Sequence, residues 1–586
     1  MPVDRTPGTR RIWLPAILLG IFALVAIARL VQIQVVEHGH YSTVADKELI
    51  DKTTVYARRG AIVDRNGNVL AISVDTWDIY VNASVWQDAS KAGPASEALG
   101  KLLSMDPAAI RTSVTSATQK DPDIVQVLVK RDVPYAIGTA IIHEDLDGVV
   151  PVADHERDHP EGDLAASLLG LTGIDNSGLA GIEYQYNAIL QGTPGKSIFE
   201  RDTVGDPIPF GQSVAVPPKP GQDLVLTIDR NIQQMAEQRL HDAIVEHRAK
   251  GGQLIVADPN TGQILALASE PGLKYSTLDF NDPATTRLLQ NSAVSNLYEP
   301  GSEFKLVTAS AAIDAGAVTP NTTYYDPGYV DIGGTIIHNW EDEALGEQTM
   351  LGVLQNSLNS GAVFMAQQLG EEKFYNYVKA FGFGQPTGID LPGEAVGHYR
   401  TPSDPGFSPV DFATQSFGQS ITVTPLQMIQ AVSAIVNGGK LIAPHIVKAT
   451  IDANGVEHSV EPKVAGNPIS PETSATMRMM MHYDLESPGY RSEGDPKYYL
   501  AGGKSSTANV PVSNGGYNDL TQIASFVEFA PLNDPKVLVL VTLDENQDLE
   551  TGSIAAGPVA AKFIDDVLRY MNVAPDRADY PPYDQG

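Results

Sequence analysis

The run from Ile12 to Ala28 carries no charge. Arg5, Arg10 and Arg11 precede it, Arg29 follows, and the apolar LVQIQVV comes next. About 17–25 helical residues suffice to cross a bilayer. Basic residues before the run and acidic sequence after it favour an N-terminus inside and the bulk of the chain outside. A cleaved signal peptide is the alternative, because Ala26 and Ala28 form an A-x-A pattern. The length of the run and the apolar residues beyond Arg29 favour a retained anchor. Either reading puts the rest of the chain outside the cytoplasm.

At 586 residues the chain exceeds one ordinary core, so two or more domains are expected. An apolar fraction of 42% suits a folded protein. The net charge of −31 repels phosphate and argues against nucleic acid as a partner. With no cysteine, disulfides, thiol nucleophiles and cysteine metal sites are excluded.

VYARRGAIVDRNGNVLAIS reads as two short strands around the turn Asp64-Arg65-Asn66-Gly67. The Pro- and Gly-rich stretch Pro207 to Gln222 marks a boundary, and a second domain opens near Asp223. There a strand leads into an amphipathic helix with Asp229 as its N-cap. GQLIVADPNTGQILALAS is a hairpin around Asn260-Thr261-Gly262. IASFVEFA and KVLVLVTLDE read as late strands, and VAAKFIDDVLRYM as a helix. Terminal strands around a helical middle predict an α+β fold with an antiparallel sheet. The tail RADYPPYDQG reads as disordered.

Three small motifs carry the chemistry. In YEPGSEFKLVTASAAIDAG, Pro300-Gly301 breaks the chain and a helix is expected from Ser302. Ser302 and Lys305 then share a face. A serine needs a base, and a lysine held neutral in a dry pocket can serve. The helix N-terminus offers N–H groups to an oxyanion. Ser357-Leu358-Asn359 lies in the helix-like run LGVLQNSLNSGAVFMAQQLG. In AGGKSSTANV, Gly503-Lys504-Ser505 imitates the end of a phosphate-binding loop, but Tyr498 stands where its first glycine belongs. Taken singly, each motif also fits a solvated helix end or edge strand.

The ordered set S-x-x-K, S-x-N and Lys504-Ser505-Ser506-Thr507 resembles that of penicillin-binding proteins and class A β-lactamases. RRGAIVDRNGNVLA, GLAGIEYQYNAILQGTPG, GQDLVLTID, FGFGQPTGIDLPGE, SFGQSITVTPLQ and ASFVEFAP extend the likeness along nearly the whole chain. It resembles a class B penicillin-binding protein, a monofunctional peptidoglycan D,D-transpeptidase of division or cell-shape synthesis. The resemblance implies a cytoplasmic tail at 1–11, a transmembrane anchor at 12–36 and a pedestal, or dimerisation-type, domain at 37–215. A transpeptidase domain at 216–572 and a disordered tail at 573–586 complete the division. It also assigns roles. Ser302 is the nucleophile, Lys305 the general base and Ser357 the proton relay. Asn359 orients Lys305 and the substrate amide. Lys504 holds Ser357 electrostatically and attracts the substrate carboxylate, which Ser505 and Thr507 bind. The backbone N–H groups of Ser302 and Thr507 form the oxyanion hole. Stem peptides and β-lactams are the implied ligands, and a polytopic membrane glycosyltransferase the implied partner. No cofactor and no metal are implied.

Two positions depart from the family pattern. Glu303 replaces a small hydroxyl residue, and is expected to point away from Ser302 and be tolerated. Ser506 replaces a glycine, and is expected to narrow the cleft, shift β-lactam affinity or have no effect. His155-Glu156-Arg157-Asp158-His159 fits the zinc-protease pattern H-E-x-x-H, but Pro160 opposes the helix that pattern needs. A β-lactamase or β-lactam sensor on the same fold is one rival function. A catalytically weakened scaffold of the wall-building complex is the other.

Overall fold

The computed structural model describes residues 10–39, 50–122, 124–200, 213–340, 343–487, 494–511 and 517–577. Residues 1–9 of the expected cytoplasmic tail, the first part of the Pro207 to Gln222 linker and residues 578–586 of the expected C-terminal tail lie outside them. The architecture is mixed α+β. An N-terminal helix, α1 (Arg10–Val31), continues into a π-helical turn at Gln32–Val36. From Pro15 to Val36 its mean hydropathy is 2.4 and none of it is buried. An apolar cylinder of this length without protein cover suits a lipid surrounding.

The chain folds into two compact units. The first comprises Met1–Arg58, Val74–Glu156 and Thr193–Lys219, the second Arg59–Ser73, Arg157–Gly192 and Pro220–Gly586. In the first unit, Thr76 to Asn82 pairs antiparallel with Gln126–Pro134. Helices Ala89–Leu103 and Pro107–Lys120, N-capped by Asp88 and Asp106, flank a core that includes Ile79, Val81, Leu99 and Ile110. The first four residues of the H-E-x-x-H stretch lie on strand Val149–Asp158 and His159 follows it, so the motif lacks the helical spacing of a zinc site.

In the second unit, Asp64 organises the expected turn between Ile62–Val63 and Val69. Its carboxylate accepts the backbone N–H groups of Asn66, Asn68 and Arg230. The RRG and GLAGIEYQYN stretches meet in a buried ion cluster. The Arg59 guanidinium donates to Glu183 at 2.5 Å and also to Asn187 Oδ1 at 2.8 Å. Arg157 donates to the other Glu183 oxygen at 2.7 Å and to the Gly60 carbonyl at 2.8 Å.

The central sheet comprises β1 (Gly251–Ala257), β2 (Ile264–Glu270), β3 (Gly502–Pro511), β4 (Tyr517–Ala530) and β5 (Val537–Asn546). The order is β2-β1-β5-β4-β3, antiparallel throughout. Its inner strands are nearly continuous apolar runs because both faces are covered. Leu254, Val256, Val539 and Val541 join Ile232 and Leu240 of α2 (Arg230–His247) and Ile564 of the C-terminal helix Gly557–Tyr570. Asp229 caps α2, accepting from the N–H groups of Asn231 and Ile232. One residue out of phase, Ile255, Leu538 and Leu540 face the helical middle of the chain. That layer includes α3 (Lys305–Asp314), α4 (Met350–Gln355), α5 (Asn359–Leu369), α6 (Pro425–Val436) and α7 (Pro471–Leu485). Every residue of α6 is buried, and a Thr424/Gln427 capping box starts it.

Removing one member of the Arg59–Glu183–Arg157 cluster leaves a buried charge uncompensated. Glu183→Ala is therefore expected to cost about 3–5 kcal/mol in the unfolding of this unit, read by chemical denaturation. Glu183→Gln is expected to retain more of the hydrogen bonding and lose less.

Candidate active site

Pro300 leads into Gly301, whose φ of +54° is the left-handed conformation that favours glycine. Gly301–Phe304 is a 3-10 turn, and the α-helix follows only from Lys305. An α-helix from Ser302 was expected. The tighter turn eclipses positions i and i+3, and Lys305 Nζ lies 3.1 Å from Ser302 Oγ. The SFGQS loop splints this turn. Gly301 N–H donates to the Gly418 carbonyl at 3.0 Å, and Ser420 N–H to Glu299 Oε1 at 3.0 Å. Gly418 has φ +84°, and a Cβ there would sit 2.1 Å from the Gly301 carbonyl oxygen. Only glycine fits this close approach.

Ser357-Leu358-Asn359 breaks its helix-like run into two, α4 and α5. Ser357 stands in the turn with φ +50°, which is rare for a non-glycine residue. The turn aims both its carbonyl and its hydroxyl at Lys305. Lys305 Nζ donates to Ser357 O at 2.5 Å and approaches Ser357 Oγ at 3.3 Å. Ser357 Oγ donates to Ser302 Oγ at 2.9 Å. Lys305 is fully buried. Burial, and then the nearby charge of Lys504, hold its pKa well below the ordinary lysine value. Asn359 opens α5 with its side-chain amide on the His338 carbonyl at 2.9 Å, and no hydrogen bond joins it to Lys305.

Strand β3 forms the third wall. Its period of two puts Lys504 and Ser506 on one face, Ser505 and Thr507 on the other. Lys504 Nζ lies 3.6 Å from Asp484 Oδ2 on α7, with both side chains buried. Thr507 Oγ1 accepts the Gly552 N–H at 3.1 Å. Ser506 lies on the cleft lining, with its hydroxyl engaged by the nucleophile turn. It donates to the Pro300 carbonyl at 2.8 Å, and the residue is 1% exposed. It thus ties β3 to the residue before the glycine that carries Ser302. A cleft of about 710 Å³ opens between the three walls, lined by Ser302, Ser357, Asn359, Ser505, Ser506 and Thr507, together with Trp340.

Two buried acids stand beside this machinery. Asp484 lies outside every motif, and its only sequence signal is an acid in an otherwise helical run ahead of Lys504. Glu303 does point away from Ser302, into a dry pocket beside the Ser525 and Tyr298 hydroxyls. Among the described residues, neither carboxyl oxygen reaches hydrogen-bond geometry. Burial pushes its pKa up to about 8, against opposing pulls from Ser525 and Lys504. The folded state therefore holds this proton more tightly than the unfolded chain, and stability falls as pH rises from the ordinary glutamate range to about 8. Glu303→Gln removes that penalty. Its melting temperature is expected to exceed that of the natural protein by a margin that is small at pH 5 and larger at pH 8, read by differential scanning fluorimetry.

Comparison with known proteins matches this geometry to a family. The model of the penicillin binding protein transpeptidase domain matches residues 252–565, and that of the penicillin-binding protein dimerisation domain residues 54–226. Stage V sporulation protein D of Bacillus subtilis is 35% identical over 525 residues, covering 88% of this chain and 79% of that protein. Penicillin-binding protein PbpB of Mycobacterium tuberculosis is 31% identical over 527 residues, covering 85% and 76%. Among solved structures, penicillin-binding protein 2X from Streptococcus thermophilus superposes with a TM-score of 0.76 at 25% identity, covering 89% of this chain and 81% of that one. The chain belongs to the class B penicillin-binding proteins, a family of peptidoglycan D,D-transpeptidases.

Proposed function

We propose that this chain cross-links peptidoglycan stem peptides through a serine acyl-enzyme on Ser302, and that β-lactams acylate the same oxygen. The observation that carries the reading is the hydrogen-bonded group of Ser302, Lys305 and Ser357, built around a buried amine. Neutral Lys305 accepts the Ser302 proton as Oγ attacks the penultimate D-Ala carbonyl carbon. The backbone N–H groups of Ser302 and Thr507 receive the developing oxyanion. The C–N bond to the terminal D-Ala breaks, and its nitrogen takes a proton passed from Lys305 through Ser357. An acceptor amine then attacks the ester, loses its proton along the reverse route and leaves Ser302 free. Lys504, Ser505 and Thr507 bind the terminal carboxylate of the donor, and Asn359 orients the substrate amide.

The helix α1 serves as a single-pass anchor, with the N-terminus cytoplasmic and the catalytic unit outside. We assign residues 37–215 to the pedestal and 216–572 to the transpeptidase domain. The glycan strands come from a polytopic membrane glycosyltransferase working with this chain. A synthase of this kind forms a long-lived acyl-enzyme with β-lactams, whereas a β-lactamase turns them over. A weakened scaffold forms none.

Fluorescent penicillin is expected to label the natural protein stably and to leave Ser302→Ala unlabelled in gel fluorescence. Labelling that survives in Ser302→Ala contradicts the assignment of the nucleophile. Lys305→Ala is expected to slow acylation by roughly 10²–10⁴-fold, the range for loss of a positioned general base. Burial and the charge of Lys504 lower the Lys305 pKa well below the ordinary lysine value, so the neutral base forms at lower pH than for a solvated lysine. The acylation rate of the natural protein is therefore expected to reach its plateau well below pH 10.5, read by stopped-flow fluorescence. A rate that still climbs through pH 10 contradicts a neutral Lys305.

A further inference from the structure

The site holds two buried ammonium groups that need opposite states. Lys305 must be neutral to accept a proton, and Lys504 must be a cation to attract a carboxylate. Burial alone drives both toward the neutral form. One residue outside the motifs breaks this symmetry. We propose that Asp484 is a positioning residue for the acylation chemistry, the buried counter-ion that keeps Lys504 charged and thereby reserves the neutral state for Lys305. This rests on the serine-acylation reading above.

The geometry is specific. Asp484 is 1% exposed in the last turn of α7, with Oδ2 3.6 Å from Lys504 Nζ. Neither of its oxygens has a hydrogen-bond partner among the described residues. A carboxylate in a last turn also has the wrong sign for the helix dipole. Helix stability and solvation therefore both disfavour an acid here, and the Lys504 ammonium is the compensating charge. The end of α7 is fastened to the start of β3, since His482 Nδ1 lies 2.7 Å from the Ala501 carbonyl oxygen. That contact fixes the distance between Asp484 and Lys504.

The charged groups around the pair act in a consistent direction. Burial raises the Asp484 pKa to about 6, against the pulls of Lys504 and then Lys305. Lys305 on α3 feels burial first, then the repulsion of Lys504, with Asp484 opposing both. Glu303, from the nucleophile turn, also faces Lys504 electrostatically. On the acid's own helix, His482 Nε2 lies 3.7 Å from Glu486. With Asp484 removed, Lys504 loses its proton at lower pH, and the carboxylate-binding charge goes with it.

The test is the pH profile of acylation by fluorescent penicillin for the full chain in detergent. The natural protein, Asp484→Asn and Asp484→Glu are compared, with melting temperatures recorded alongside. In Asp484→Asn the alkaline fall of the rate is expected to move down by at least one pH unit, with at least a tenfold loss at pH 8. Asp484→Glu is expected to keep the natural profile. An Asp484→Asn profile with an unmoved alkaline limb, or lowered by one factor at every pH, overturns the proposal. Should Asp484→Asn fail to fold, lysine ¹³Cε shifts of the natural protein decide. One pocket lysine neutral and one cationic at pH 7 supports the proposal; two alike overturns it. Failure of the underlying reading is distinguishable, because it removes labelling of Ser302 in the natural protein itself.

Discussion

The site depends on a lysine that has been taken out of water. Lys305 is fully buried, and its amine is held between the Ser302 hydroxyl and the carbonyl and hydroxyl of Ser357. A solvated ammonium would be a poor base near neutral pH, and an isolated buried one would be costly. The site meets both constraints by lowering the pKa of the amine and giving it oxygen partners. The same partners aim it at the nucleophile.

Three backbone features hold that arrangement. The 3-10 turn at Gly301–Phe304 brings Ser302 over Lys305, and the Gly418 loop fixes it through a contact that admits no side chain. Ser357 is held in a left-handed turn, so that oxygens and not a helix face meet the lysine. On β3, the Ser506 hydroxyl is bonded to the Pro300 carbonyl. That bond ties the strand of Lys504 to the turn of Ser302. The strand that presents Lys504 is the edge strand of the central sheet, held by antiparallel pairing with β4.

Much of this was legible in the sequence where local rules suffice. The turn at Asp64, the cap at Asp229, the hairpin before Ile264 and the late strands follow from short-range patterns, and the structure has all of them. The spacing of Ser302 and Lys305 was enough to pair them. The sequence was less informative where tertiary geometry decides. The break between α4 and α5 falls at Asn356 to Leu358, in a stretch reaching Gly361 where Ser, Asn and Gly weaken the helix, but which residue turns is decided by the contacts of Ser357. The burial of Glu303 depends on strands more than 200 residues further along the chain, which no local pattern reveals. Asp484 gave only the weak signal of an acid in a helical run, and an acid on a helix is normally a solvated one.

The account stands on Ser302 carrying the acyl group during turnover. The most direct measurement is tandem mass spectrometry of the full-length protein, acid-quenched while it processes a thioester mimic of a stem peptide and an acceptor amine. The account predicts an ester adduct on the peptide containing Ser302, formed and discharged in step with product. Product formed without that adduct, or an adduct on another residue, would contradict it.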